Sequence, residues 1–179
     1  MVALVLMLLV AGGTGAAIGV VAGTGPKGPT DPPTVDAHFP HGTQRYIRGV
    51  TVSAIARDWL AQKEWTCEFH PRINSRSSRR AECSPRGNTA SELEVTIAYD
   101  SEKRVREADL MCAYGPGNPT CKELFTELAG ILLARDERLR KQAVQWTGAN
   151  VDNDASTVIG ELRLVATLSP HTLDCTPAS

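Results

Sequence analysis

The chain has 179 residues, 19 Lys plus Arg against 20 Asp plus Glu, a net charge of −1 at pH 7 and five cysteines. So balanced a charge excludes a polyanion-binding protein of the globally basic kind. An aromatic content of 5% leaves the core to Leu, Val, Ile and Ala.

The first element is the uncharged run Val2–Gly23. About 20 apolar residues suffice to cross a bilayer core as a helix. Val2–Ala11 is solidly apolar, whereas Gly12, Gly13, Thr14 and Gly15 follow. That shape also fits a cleaved secretory signal, with Val20–Gly23 as its small-residue region. Residues 1–24 are therefore expected to be a transmembrane anchor or a signal helix. Lys and Arg are missing ahead of the run, and Lys27 beyond it favours the opposite orientation when taken alone. A start further upstream would supply the missing basic residues. Ala11, Gly15, Gly19 and Gly23 recur every four residues, a spacing that predicts weak self-association through one helix face.

Residues 25–47 read as a linker. Pro26, Pro29, Pro32, Pro33 and Pro40 alternate with Gly, Thr and Asp. Such a segment is a semi-rigid spacer that holds the folded part, 48–179, away from the bilayer. His38 and His41 read as solvated loop residues, because further metal ligands are not evident beside them.

In the folded part, Val52, Ile55, Ala56, Trp59 and Leu60 lie on one helical face, with Thr51 or Ser53 as the cap. Trp65–His70 switches to a period of two, which predicts a strand with Trp65, Cys67 and Phe69 on one side. A loop over 72–80 and a short 81–84 segment follow. If these form a hairpin, Cys67 and Cys83 come within bonding reach. Leu93–Tyr99 is the clearest strand, and 104–114 its return after a turn at 100–103. Glu92, Glu94, Glu107 and Asp109 read as solvated surface on this hairpin.

Thr120 and Glu123 form a capping-box pattern. Leu124, Leu128, Ile131, Leu132, Leu139, Ala143 and Trp146 predict one long helix of about seven turns. Cys112 and Cys121 bracket the tight loop before it and are expected to bond, which leaves Cys175 as the free thiol. Asp152, Asn153 and Asp154 read as a turn, since the Gly and Glu of a calcium loop are missing at the required offsets. Leu162–Leu168 is a last strand, broken by Ser169 and Pro170. His171, Asp174 and Cys175 fall in the tail.

The expected fold is α+β: an antiparallel sheet of about four or five strands with two helices packed on one face. Cysteines confined to the part beyond the apolar run fit an oxidising compartment, so the domain is expected outside the cytoplasm, anchored or secreted. Neither Cys-x-x-Cys nor zinc spacing occurs, and the Gly-x-Ser-x-Gly, phosphate-loop and His-Glu-x-x-His motifs are absent from the sequence. No metal, cofactor or catalytic residue is therefore assigned.

The densest basic stretch is Arg72, Arg76, Arg79 and Arg80, with Arg86 nearby. Its plausible partners are anionic: lipid head groups, a wall polymer or an acidic protein surface. Nucleic acid is not expected, because aromatic residues do not interleave with the arginines. The leading expectation is a membrane-tethered extracytoplasmic binding domain. The alternatives are a secreted or tethered hydrolase with a dispersed site and a disulfide-locked secreted inhibitor.

Overall fold

Tyr46 to Val52 leads straight into a β-sheet: the Ile47 N–H donates to the Val105 carbonyl at 2.8 Å, and the Val52 N–H to that of Glu102 at 3.0 Å. The computed structural model describes residues 45–73, 78–87 and 92–178. The expected membrane helix, its pairing face, most of the linker, and Arg76 lie outside the described residues. No helix among the described residues is long and apolar enough to cross a membrane.

The elements run α1 (Val52–Ala56), a 3-10 turn (Leu60–Lys63), β1 (Trp65–His70), β2 (Arg79–Pro85), β3 (Leu93–Ser101), β4 (Arg104–Cys112), α2 (Pro119–Leu132), α3 (Glu137–Asn150), β5 (Ala155–Ile159), β6 (Leu162–Leu168) and β7 (His171–Pro177). All seven strands join one sheet in the order β1-β2-β3-β4-β7-β6-β5, and every neighbouring pair is antiparallel. The fold is α+β as expected, but the described residues form seven strands rather than four or five and three helices rather than two.

Three expectations are corrected. The expected single helix from Thr120 to Trp146 is a pair of helices. Asp136 takes an extended backbone, and its side chain accepts the N–H groups of Arg138 and Leu139, both at 3.0 Å. That cap begins a new helix where the apolar stripe has its longest gap, between Leu132 and Leu139. The cap of α2 is Asn118, which accepts the Thr120 N–H at 2.9 Å, with Pro119 in the first helical position. The supposed C-terminal tail is strand β7, inserted between β4 and β6 in the middle of the sheet.

Close approach of α2 and α3 is tightest at Gly130, and Gly148 faces α2 at ordinary contact distance. A methyl group on Gly130 would lie 3.2 Å from Val144, and one on Gly148 would lie 3.4 Å from Thr126. The pair packs on one face of the sheet. Val95, Ile97, Ala108, Leu110, Leu164, Leu173 and Cys175 from the strands bury there with Phe125, Leu128 and Leu132 of α2. Because side chains alternate along a strand, the intervening residues turn to the opposite face, which none of the three helices covers.

Both expected disulfides are formed. Cys67 and Cys83 sit directly opposite each other in the β1–β2 register, with Cα atoms 4.0 Å apart. Cys112 and Cys121 tie the end of β4 to the first turn of α2 at 5.7 Å. Cys175 is free and buried. Two disulfides are compatible with an extracytoplasmic or secreted location.

Candidate functional site

The open face of the sheet is built by strand register. Glu68 of β1 stands opposite Glu82 of β2, which stands opposite Thr96 of β3, then Asp109 of β4 and Asp174 of β7. One row across five strands thus carries four carboxyl groups. The next row holds His70, Arg80, Ala98 and Glu107.

Glu82, Thr96 and Asp109 of the first row and all four residues of the second line a cavity of about 640 Å³. Its walls are Arg72 and Arg80 on one side, Glu107 and Asp109 beneath, and Pro71 with Ile73 at the β1–β2 connection. Ile73 is almost wholly exposed.

Most of the basic groups are matched by acids. Arg72 Nη2 meets Asp100 Oδ1 at 2.9 Å, and Arg80 Nε meets Glu82 Oε1 at 3.3 Å. His70 Nε2 lies 3.4 Å from the other Glu82 oxygen. Asp100 anchors the whole corner. Its side chain is only 10% exposed, and it also accepts from Arg106 Nη2 at 2.8 Å and the Tyr46 hydroxyl at 2.7 Å. The Arg106 guanidinium holds the Asp100 carboxyl below its ordinary range, with Tyr46 and Arg72 adding to the effect against partial burial. Arg106 reaches Asp100 because the β3–β4 register shifts there: Ala98 faces Glu107, but Tyr99 faces Val105.

Asp109 is the exception to this matching. Burial pushes its carboxyl up to about 7, and neighbouring Glu107 and Asp174 push the same way. A backbone hydrogen bond from Cys175 and the charge of Arg80 offset only part of this. Its Oδ1 is shut off from solvent and has no hydrogen-bond partner among the described residues. Asp174, opposite it, is also raised by burial. The solvated-surface reading of Asp109 is therefore corrected. Without β7 the residue would sit at a sheet edge; with β7 it sits mid-sheet beside a second acid.

The arginines of the basic stretch do not share one loop. Arg79 and Arg80 are consecutive in β2 and so point to opposite faces. Arg86 follows the far end of that strand, about 20 Å from Arg80 at the usual rise per residue. Arg72 and Arg80 line the cavity, while Arg79 and Arg86 are exposed outside it.

Other candidate chemistry is taken up by structure. Asp152 Oδ1 accepts the Gly117 N–H and Asp154 Oδ1 the Leu168 N–H, each at 2.8 Å. Among the described residues, no group of three or more His, Cys, Asp and Glu side chains is placed to hold a metal ion. His171 and Cys175 are four apart along β7, about 13 Å at strand spacing, too far for a nucleophile–base pair. His171 is buried against Phe125, with its ring nitrogens 2.7 Å from the Val151 carbonyl and 3.3 Å from that of Tyr114. Burial and the nearby Asp109 and Asp174 raise the Cys175 thiol well above its ordinary range, so it is held as an inert thiol.

No protein-family model matches this chain, and no significant match to it was found among curated proteins or solved structures.

Proposed function

We propose that this chain is an extracytoplasmic binding domain, held at the membrane through its N-terminal apolar run, and that its contact surface is the open sheet face around the cavity. One observation carries the reading. Helices cover one face of the seven-stranded sheet, while the other carries a cavity of about 640 Å³ lined by charged side chains. A soluble sheet face needs polar residues, but it needs neither a concavity nor a shielded carboxyl inside it. The basic stretch contributes to this surface through Arg72 and Arg80.

A second reading, a tethered hydrolase with a dispersed site, is favoured by Asp109 alone. A carboxyl group titrating near 7 in a cavity has the properties of a general acid or base. The binding reading ranks first because the Thr96 hydroxyl in the lining donates to Glu94 at 3.0 Å rather than to Asp109, and Asp109 Oδ1 meets no hydroxyl among the described residues.

The test uses the full chain in its native membrane. A photo-crosslinking residue is placed at Ala98, in the cavity, or at Gln142, exposed on α3. Adducts from Ala98 and none from Gln142 are expected. Adducts from Gln142 alone would move the contact surface to the helices.

A further inference from the structure

The cavity has three chemically different parts. Its floor carries Glu107 and Asp109, neither of them ion-paired with a cation among the described residues. Its shoulders are Arg72 and Arg80, each already joined to an acid. Its rim is apolar, formed by Pro71 and Ile73, and Ile73 would otherwise be an almost fully exposed hydrocarbon side chain.

We propose that this cavity is a recognition site for a basic side chain, seating an ammonium or guanidinium group against Glu107 and Asp109 while the aliphatic stem lies along Ile73 and Pro71. The inference rests on the open face being the contact surface, and it names what that surface takes.

Charge decides the sign of the ligand. The lining sets Arg72 and Arg80 against Glu82, Glu107 and Asp109, so with Asp109 ionised it carries an excess of one negative charge. An anion would meet two carboxyl groups on the floor, whereas a cation would add to the partial counter-charge that Arg80 gives Asp109. The apolar rim decides the class. A metal ion has no use for Ile73, but lysine and arginine bury their methylene stems on apolar surface while the charged head stays in polar surroundings.

The test is saturation-transfer NMR on the full chain in lipid nanodiscs, with Nα-acetyl-lysine amide, butylamine and inorganic phosphate as probes. Acetyl-lysine amide is expected to bind at pH 8 and to weaken about five-fold at pH 5.5, where Asp109, faced by Asp174 of β7 and by Glu107, Glu82, Arg80 and His70 of the lining, is protonated. Asp109→Asn or Glu107→Gln should reduce its signal by a similar factor, and Asp58→Asn, outside the cavity, should not. Equal binding of butylamine would overturn the side-chain assignment, because a free amine would then suffice. Preference for acetyl-lysine amide would identify a polypeptide. An acetyl-lysine amide signal absent from the wild type, or unchanged by both cavity variants, overturns the inference. Phosphate binding that Arg80→Ala abolishes would overturn it too, while leaving the open face as the contact surface. Crosslinks from Gln142 and none from Ala98 would overturn both readings.

Discussion

Asp109 shows how one residue's properties come from a strand far away in sequence. Its ordinary carboxyl value is 3.8 and its folded value about 7. Between those values the folded chain holds a proton that the unfolded chain has released, so stability falls as pH rises across that window. The penalty is absent below the unfolded value and complete above the folded one. The full shift corresponds to about 4 kcal/mol, and because Asp109 is only half-buried solvent screening reduces this, so Asp109→Asn is expected to exceed the wild type by about 2 kcal/mol at pH 8, with the gap closing near pH 4. Denaturant unfolding followed by fluorescence of Trp59, Trp65 and Trp146 would measure it. A constant gap across pH would mean that the carboxyl is not perturbed by burial. Nothing in the residues flanking Asp109 shows this environment. Its outward phase on β4 is readable from Ala108 and Leu110, but the acid that faces it, Asp174, arrives through a strand 65 positions later (174 minus 109). The cysteines are the opposite case. Cys67 with Cys83 and Cys112 with Cys121 are close in sequence, so local hairpin and loop geometry suffices to pair them.

At the scale of elements, legibility follows amphipathic contrast. β3 alternates Leu93, Val95, Ile97 and Tyr99 with polar residues, and it is a strand at nearly the expected bounds. β5 and β7 carry weaker patterns. Ala155–Ile159 has no strong alternation, and His171–Pro177 buries His171 alongside Leu173 and Cys175. A histidine at a core position hides the period of two. It is accommodated because both ring nitrogens face backbone carbonyls, which only the folded α3–β5 and β4–α2 connections supply. The break between α2 and α3 is a competition between a continuing helix and a local cap. Asp136 satisfies two N–H groups that would otherwise lack partners at the start of α3, and Glu137 complements the positive end of that helix. Asp136→Ala is expected to cost about 1 kcal/mol without changing the fold. Thermal unfolding would record the loss, and circular dichroism the unchanged helix content. A rise in helix content would instead mean that the chain prefers the uninterrupted helix.

At the scale of the molecule, we propose that an apolar N-terminal run and a proline-rich spacer carry a disulfide-bonded domain whose helix-free sheet face makes the contacts. The sheet has two parts of similar design. Each is a helical stretch followed by an antiparallel meander, and the last strands of the two meanders, β4 and β7, meet in the middle. That meeting places Asp109 and Asp174 at the centre of the open face and Cys175 at the centre of the covered one. The compartment on which this account depends can be tested by counting thiols in the full chain, isolated from membranes under alkylating conditions. Two disulfides and a buried, inert thiol predict no labelled cysteine in the folded protein, one after unfolding, and five after unfolding with reductant. Five labelled cysteines on unfolding without reductant would contradict the oxidised domain and, with it, an extracytoplasmic site of action.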